Sequence, residues 1–130
     1  MTKQLLEQIY YINRELKMWE RELERLKLRS PVNSPIPRNG SGSGFSDPTA
    51  RNAERIIEVE SYIKHKAQQL QDARDEAMRL IWEIPDSLTR MIVFYRCVSL
   101  MSWRRVAYEV GGGNTENGVR MIYNRFMANL

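Results

Sequence analysis

Polar side chains near the C-terminus have the types and spacing that hydrogen bonding to base edges would require. Asn117 and Arg120 are side chains that bind adenine and guanine through paired hydrogen bonds, and Glu116 could accept one from cytosine. Thr115 is typical of a helix cap, where free N–H groups and the helix dipole favour a nearby phosphate. The pattern predicts a helix over 115–130 whose start is suited to contact with a nucleic acid.

A second group of polar side chains precedes this helix. Ser102 is typical of a cap for a short helix over 102–110, and Arg104 and Arg105 follow it. Arginine pairs well with phosphate, so this group would hold the DNA backbone without reading sequence. The candidate DNA-binding residues are Ser102, Arg104, Arg105, Thr115, Glu116, Asn117, Arg120, Met121 and Asn124.

These helices need a third element and a tight turn to hold them. Residues 86–97 predict a first helix capped by Asp86, and three glycines at 111–113 form a turn that few other residue types could make. A short helix, a glycine-rich turn and a polar-fronted helix are typical of a helix-turn-helix. The residues expected to pack its core are Ile92, Val93, Tyr95, Val98, Val106, Ala107, Val110, Val119, Ile122, Tyr123 and Phe126.

Charge is concentrated in this same part of the chain. The 130 residues carry a net charge of +4, and residues 86–130 hold six arginines against Asp86, Glu109 and Glu116. The segment contains no lysine, so every basic side chain in it is arginine, the residue whose planar fork suits phosphate and guanine.

Other classes of function find little support in the sequence. With one cysteine and one histidine, the chain offers neither an internal disulfide nor a cysteine-based zinc site, and a metal centre is not expected. We find no Ser/His/Asp grouping and no phosphate-binding glycine loop with a lysine, so we expect no enzyme and no cofactor. The short apolar runs predict no membrane span, and the N-terminus has no signal-peptide cleavage site, which favours a cytoplasmic setting.

The first 85 residues have the pattern of two long helices. Apolar residues recur in steps of three and four over 3–29 (Leu5, Ile9, Ile12, Leu16, Trp19, Leu23, Leu26) and over 49–84 (Ile56, Val59, Ile63, Leu70, Ala73, Ala77, Leu80, Ile84). The segment 30–48 between them, rich in Pro, Gly and Ser, cannot continue either helix.

The sequence therefore predicts an all-α protein in two domains. Residues 1–85 would form a long antiparallel, coiled-coil-like helical hairpin, and residues 86–130 a helix-turn-helix. The hairpin could close within one chain or between two, and it could supply a homodimer contact.

Residues 84–127 resemble region four of bacterial sigma factors, the helix-turn-helix that reads the upstream promoter element. The resemblance lies in Ile84-Pro85 before the first helix, Ser102-Trp103 at the second, and Thr115, Val119, Arg120 and Ile122 in the third. The whole chain is similar to sigma-like phage transcription regulators, the RinA-like late-gene activators among them. These also share the Ser-Pro-rich segment that here ends in Gly42-Ser43-Gly44-Phe45-Ser46-Asp47-Pro48, so we take this segment as native.

The chain departs from the sigma pattern at two places. Its glycine turn is about two residues longer, and Glu116 and Gly118 stand where many sigma factors have arginines. We therefore carry over no promoter specificity.

The resemblance implies a DNA-binding regulator from a phage or prophage, an activator of late genes that acts with host RNA polymerase. Two alternatives stay open. One is a DNA-recognition subunit for packaging, like a small terminase, and the other is a polymerase-binding module that does not touch DNA.

Overall fold

The computed structural model describes residues 2–29 and 48–130, with side chains from residue 50 onward in the second range, and this part of the chain is all-helical with no strand. The prediction of an all-α fold is confirmed there. The helices are α1 (Thr2–Leu28), α2 (Pro48–Trp82), α3 (Ser87–Val93), α4 (Trp103–Val110) and α5 (Glu116–Ala128). The predicted Pro/Gly/Ser-rich segment lies outside the described residues, except that α2 begins at its last residue, Pro48.

The chain divides into two compact units, and both long helices contribute to each. The smaller unit contains residues 14–68, and the larger unit contains residues 1–13 together with 69–130. The domain boundary predicted at residue 85 stays a prediction. No helix among residues 2–29 and 48–130 is both long enough and apolar enough to cross a membrane.

Within the smaller unit, α1 and α2 are joined by paired side chains. Lys66 Nζ lies 3.1 Å from Glu15 Oε1, and the rings of Trp19 and Tyr62 are 5.2 Å apart. Farther along α1, Asn52 Nδ2 donates to the Leu26 carbonyl oxygen over 3.2 Å. As the residue numbers increase along α1, the numbers of their partners on α2 decrease. Leu26 and Val59, both in the predicted apolar stripes, are buried here.

Within the larger unit, the buried stripes depart from the predicted ones at two positions. Leu6 is buried while Leu5 is only half-buried, because α1 here also borders residues of the C-terminal helices and needs a wider apolar face. On α2, Ile81 is buried more fully than the predicted Leu80. An α-helix turns every 3.6 residues, so its buried stripe drifts from a strict heptad pattern.

Each C-terminal helix begins at a side-chain cap, and all three predicted caps are confirmed. The Asp86 carboxylate accepts from the Thr89 backbone N–H (2.9 Å) and hydroxyl (2.7 Å). Ser102 Oγ accepts from the Arg105 N–H at 3.2 Å, and Thr115 Oγ1 accepts from that of Gly118 at 3.0 Å. These bonds satisfy N–H groups that have no partner inside the helix, and so they set where α3, α4 and α5 begin.

The turn between α4 and α5 depends on glycine, as predicted. Gly111, Gly112 and Gly113 have φ values of 67°, 63° and 77°. At Gly111 the ψ of −152° places the backbone in a region that is essentially closed to any residue with a Cβ. The Asn114 side chain then closes the turn by donating to the Gly111 carbonyl oxygen over 2.9 Å.

The first C-terminal helix does not continue as the regular α-helix that we predicted to Cys97. After α3 the backbone widens into a π-helical segment, Phe94–Val98, in which the Ser99 N–H donates to the Phe94 carbonyl oxygen over 3.1 Å. Leu100 follows with a φ of 57°, unusual for a residue other than glycine. The wider turn changes which side chains of this segment face the core.

The three C-terminal helices meet at one apolar centre, built mostly from the residues predicted there, although the predicted Val98 and Phe126 are only half-buried and lie outside it. Ile92 of α3, Val106 of α4 and Val119 of α5 are fully buried and pack together. Partly buried neighbours complete this centre: Leu88, Tyr95, Met101, Trp103, Ala107, Val110, Ile122 and Tyr123. The sequence did not single out Cys97 and Met127, which are also buried.

Candidate nucleic-acid interface

The exposed face of α5 holds most of the predicted base-contacting side chains. Asn117, Arg120, Met121 and Asn124 are spaced by three and four residues, so they share one face of the helix, and all four are exposed. Met121 has 55% of its surface exposed, which is high for an apolar side chain. This exposed face therefore carries two side-chain amides, one guanidinium and one thioether, and these groups can contact the edges of bases.

Arg120 is the charged group of this face, and its surroundings hold it loosely. Its Nη2 lies 3.8 Å from Glu116 Oε2, and both side chains are about half exposed. On another side, the guanidinium carbon lies 5.9 Å from the centre of the Trp103 ring. Exposed ion pairs of this kind contribute little to stability, so a base or a phosphate could take Arg120 from Glu116 at small cost.

The start of α5 is exposed and polar. Thr115, Glu116 and Asn117 are all exposed, and the Thr115 hydroxyl oxygen is engaged as the helix cap. Gly118 lies against this cap, since a Cβ at Gly118 would be 3.1 Å from Thr115 Oγ1. The glycine therefore leaves room for the capping hydroxyl.

The predicted backbone-binding residues lie on a separate shallow surface of α4. Ser102, Arg104 and Arg105 are exposed and line it together with Tyr108, which the sequence did not single out. Arg105 Nε donates to Glu109 Oε2 over 2.9 Å, and the Ser102 hydroxyl caps α4. Arg104 and Tyr108, the latter 79% exposed, extend this surface.

An open groove of roughly 860 Å³, here called the Trp103 groove, lies beside these surfaces within the larger unit. Two predicted site residues, Ser102 and Asn124, lie on its wall with Trp103. Its other lining residues come from α1, from the segment before α4 and from α5: Leu6, Glu7, Tyr10, Tyr11, Arg96, Cys97, Leu100, Met101 and Tyr123. The groove thus brings together residues that are far apart in the sequence.

Arg96 is the cation of this groove, and no feature of the sequence distinguishes it from the other arginines. Its Nη1 donates to the Met101 carbonyl oxygen over 2.8 Å, and its guanidinium carbon lies 4.3 Å from the Trp103 ring centre. Arg96 and Arg120 therefore both lie near one indole. The only signal in the sequence was the general excess of arginine.

A neutral pair of side chains also lines the groove. Cys97 Sγ lies 3.4 Å from the Tyr123 hydroxyl. Burial raises the pKa of the Cys97 thiol and that of the Tyr123 phenol above their ordinary values. Both groups are uncharged near neutral pH, so the formal charges lining the groove are those of Arg96 and Glu7.

Five of the predicted site residues fall in two overlapping sets. Ser102, Arg120 and Asn124 lie around Trp103, and Ser102 also lines the α4 surface with Arg104 and Arg105. The other four, Thr115, Glu116, Asn117 and Met121, are exposed on α5 or at its cap. Among residues 2–29 and 48–130, no three His, Cys, Asp or Glu side chains are grouped closely enough to hold a metal ion.

Comparison of the chain with protein-family models, with curated proteins and with solved structures found no match.

Proposed function

We propose that this protein is a sequence-specific, double-stranded DNA-binding regulator of transcription. In this proposal α3, α4 and α5 form a helix-turn-helix, and α5 enters the major groove with its exposed face towards the bases. One observation carries the proposal. Asn117, Arg120 and Asn124 are exposed on a single face of a capped helix that the buried centre of Ile92, Val106 and Val119 holds in place.

The surroundings of that face support binding to an anionic polymer. Arg104 and Arg105 lie exposed on α4, and the segment 86–130 carries six arginines against three acidic residues. Two of these arginines, Arg105 and Arg120, form ion pairs with partly exposed glutamates of their own helix. DNA phosphates can replace these glutamates as partners of the arginines. Each phosphate that is neutralised releases counterions condensed on the DNA, and this release favours binding.

The rest of the chain has a proposed role as an assembly or docking element. The pairs Glu15–Lys66 and Trp19–Tyr62 support a hairpin of α1 and α2 that closes within one chain. Its outer surface would carry a homodimer contact or meet host RNA polymerase. The more specific proposal, a phage or prophage late-gene activator, rests on the resemblance to sigma-like phage regulators.

The first test is a mobility-shift experiment with DNA from the protein's own genomic neighbourhood, with unrelated competitor DNA and a salt series. We expect a discrete shift that survives competitor and weakens steeply as salt rises, since phosphate contacts are lost to competing cations. Absence of a shift at low salt would contradict the proposal and favour the polymerase-binding alternative.

A matched pair of variants on α5 then tests the reading face. Arg120→Ala should weaken binding to the recovered site by about 1–3 kcal/mol and relax discrimination at one base position. Arg125→Ala removes the same charge from an exposed residue about 140° around the helix, and it should leave discrimination unchanged. Equal losses for Arg120→Ala on cognate and random DNA would argue against base reading.

The oligomeric state separates regulation from packaging. Analytical ultracentrifugation of the full chain should show a monomer or a dimer. A closed ring of many subunits would instead favour the DNA-packaging alternative.

A further inference from the structure

The Trp103 groove has a cation, Arg96, a wall with two tyrosines from α1 and an unusual backbone, and the proposed base contacts do not use these features. We propose that this groove binds the sugar–phosphate backbone of the same DNA, with Arg96 as the phosphate contact and the first turns of α1 as the outer wall. This inference rests on the proposed function and extends the DNA surface beyond α4 and α5.

Arg96 is held in a way that suits a phosphate contact. The Met101 carbonyl oxygen and the Trp103 ring fix the plane of its guanidinium. An arginine side chain has five N–H donors, and the bond to Met101 uses only the Nη1 group. Because the side chain is already ordered, binding a phosphate costs little further rotamer entropy.

The position of the groove matches the path that DNA would take. Ser102 and Asn124 belong both to the groove wall and to the proposed DNA-binding residues. The guanidinium carbons of Arg96 and Arg120 lie 4.3 Å and 5.9 Å from the same ring centre. A duplex whose bases meet Arg120 therefore brings its phosphates close to Arg96, since the backbone carries one charge for each nucleotide.

The backbone that presents Arg96 is locally unusual. Arg96 lies inside the π-helical segment Phe94–Val98, and Leu100 has a φ of 57° and lines the same groove. Single π turns and residues in sparsely populated backbone regions occur frequently at functional sites. Here they coincide with the cation of the groove.

The α1 wall supplies hydroxyl groups and one opposing charge. Tyr10 and Tyr11 have 44% and 63% of their surfaces exposed, and their rings are 5.1 Å apart. A phenol can donate to a phosphate oxygen. The exposed Glu7 carboxylate would repel the same phosphate, so removal of its charge should strengthen DNA binding, whereas removal of the Arg96 charge should weaken it.

The experiment compares four variants of the full chain in binding to cognate and unrelated DNA across a salt series. Arg96→Gln should weaken binding to both DNAs about tenfold and reduce the slope of log K against log salt by about one. Glu7→Gln should strengthen binding to both, and Tyr11→Phe should weaken it by a smaller factor. Arg79→Gln, an exposed charge on α2 outside the groove, should change neither affinity nor slope.

The outcomes distinguish this inference from the proposed function. If the wild type binds its site and Arg120→Ala loses discrimination, but Arg96→Gln keeps the wild-type slope, the groove inference is overturned and the function stands. If the wild type binds no DNA, the proposed function itself fails. If Arg96→Gln does not fold, Glu7→Gln decides, because its exposed side chain can change without disturbing the core, and unchanged affinity would overturn the inference.

Discussion

The guanidinium carbon of Arg120 on α5 lies 5.9 Å from the ring centre of Trp103, in the first turn of α4. Trp103 also meets Tyr123 of α5, with ring centres 5.0 Å apart. One indole thus joins the buried side of α5 to the side chain that we propose reads a base. The Trp103 ring should therefore affect how Arg120 binds DNA as well as how the helices pack.

Trp103→Leu should weaken the contribution of Arg120 to DNA binding. Without the ring, the guanidinium loses a cation–π contact worth about 0.5–2 kcal/mol, so the free-energy losses of Trp103→Leu and Arg120→Ala should not add in the double variant. The measurement is a double-mutant cycle of binding to cognate DNA, with circular dichroism to check folding. Tyr108→Leu, an exposed aromatic on the same helix, is the control and should add with Arg120→Ala.

Gly111→Ala should destabilise the protein by about 1–3 kcal/mol, because a φ of 67° with a ψ of −152° is closed to residues with a Cβ. Gly111→Asn should be no better, although asparagine is tolerated in the left-handed helical region, because this ψ lies outside that region. No atom would lie within 4 Å of the added Cβ, apart from Gly111 itself and its chain neighbours, so the cost is conformational. Urea denaturation measures the free energy of unfolding, and a wild-type midpoint for either variant would contradict this account.

Much of the C-terminal fold could be predicted from the sequence because local rules determine it. The caps at Asp86, Ser102 and Thr115 follow from side-chain type, and the turn at Gly111 follows from backbone freedom. The burial of Val106 and Val119 follows from helical periodicity. Each of these features depends on residues only a few positions apart.

The Trp103 groove could not be predicted because no local feature of the sequence indicates which distant residues will lie beside one another in it. The π-helical segment has no local residue signature, so a regular helix was expected where Arg96 turns towards Trp103. Glu7 and Tyr11 line the groove with residues about ninety positions later in the chain, and such placement depends on tertiary packing. The exposed face of α5 was accessible to sequence reasoning only because it lies on one helix.

The cap of α3 should make stability depend on acidic pH. Hydrogen bonds from the Thr89 hydroxyl and then from its backbone N–H lower the pKa of Asp86 below its ordinary value. A lowered pKa in the folded state means that the stabilisation is fully present above the unfolded pKa, near 4, and is lost as pH falls through the folded value.

Asp86→Ala should therefore be less stable than the wild type at neutral pH, and this difference should shrink as the pH falls below about 4. The thermal unfolding midpoints of both proteins, measured across an acid pH series, report this difference in stability. Because the two proteins share all other carboxylates, the effects of those groups largely cancel. Asp86→Asn is the control, since asparagine caps helices about as well without a titrating group. A difference between wild type and Asp86→Ala that is independent of pH would exclude a role for the carboxylate charge.

Cys97 should react with alkylating reagents only when the protein opens. The thiol is buried, and burial raises its pKa, so both access and the thiolate fraction are low in the folded state. The raised pKa stabilises the fold below the unfolded value, near 8.5, and that contribution is lost as pH rises above it. Because Cys97 is the chain's single cysteine, mass spectrometry after iodoacetamide treatment reports this one site.

At pH 8 we expect slow modification of Cys97 in buffer and fast modification in denaturing urea, with the rate rising steeply near the unfolding midpoint. Tyr123→Phe gives an informative comparison. It removes the hydroxyl 3.4 Å from Cys97 Sγ, a hydrogen bond that lowers the thiol pKa, so it should leave even less thiolate while keeping the ring in place. Equal rates in buffer and in urea would show that Cys97 is accessible in the folded chain. Faster modification of folded Tyr123→Phe would mean that the hydroxyl protects the thiol by maintaining the packing around it.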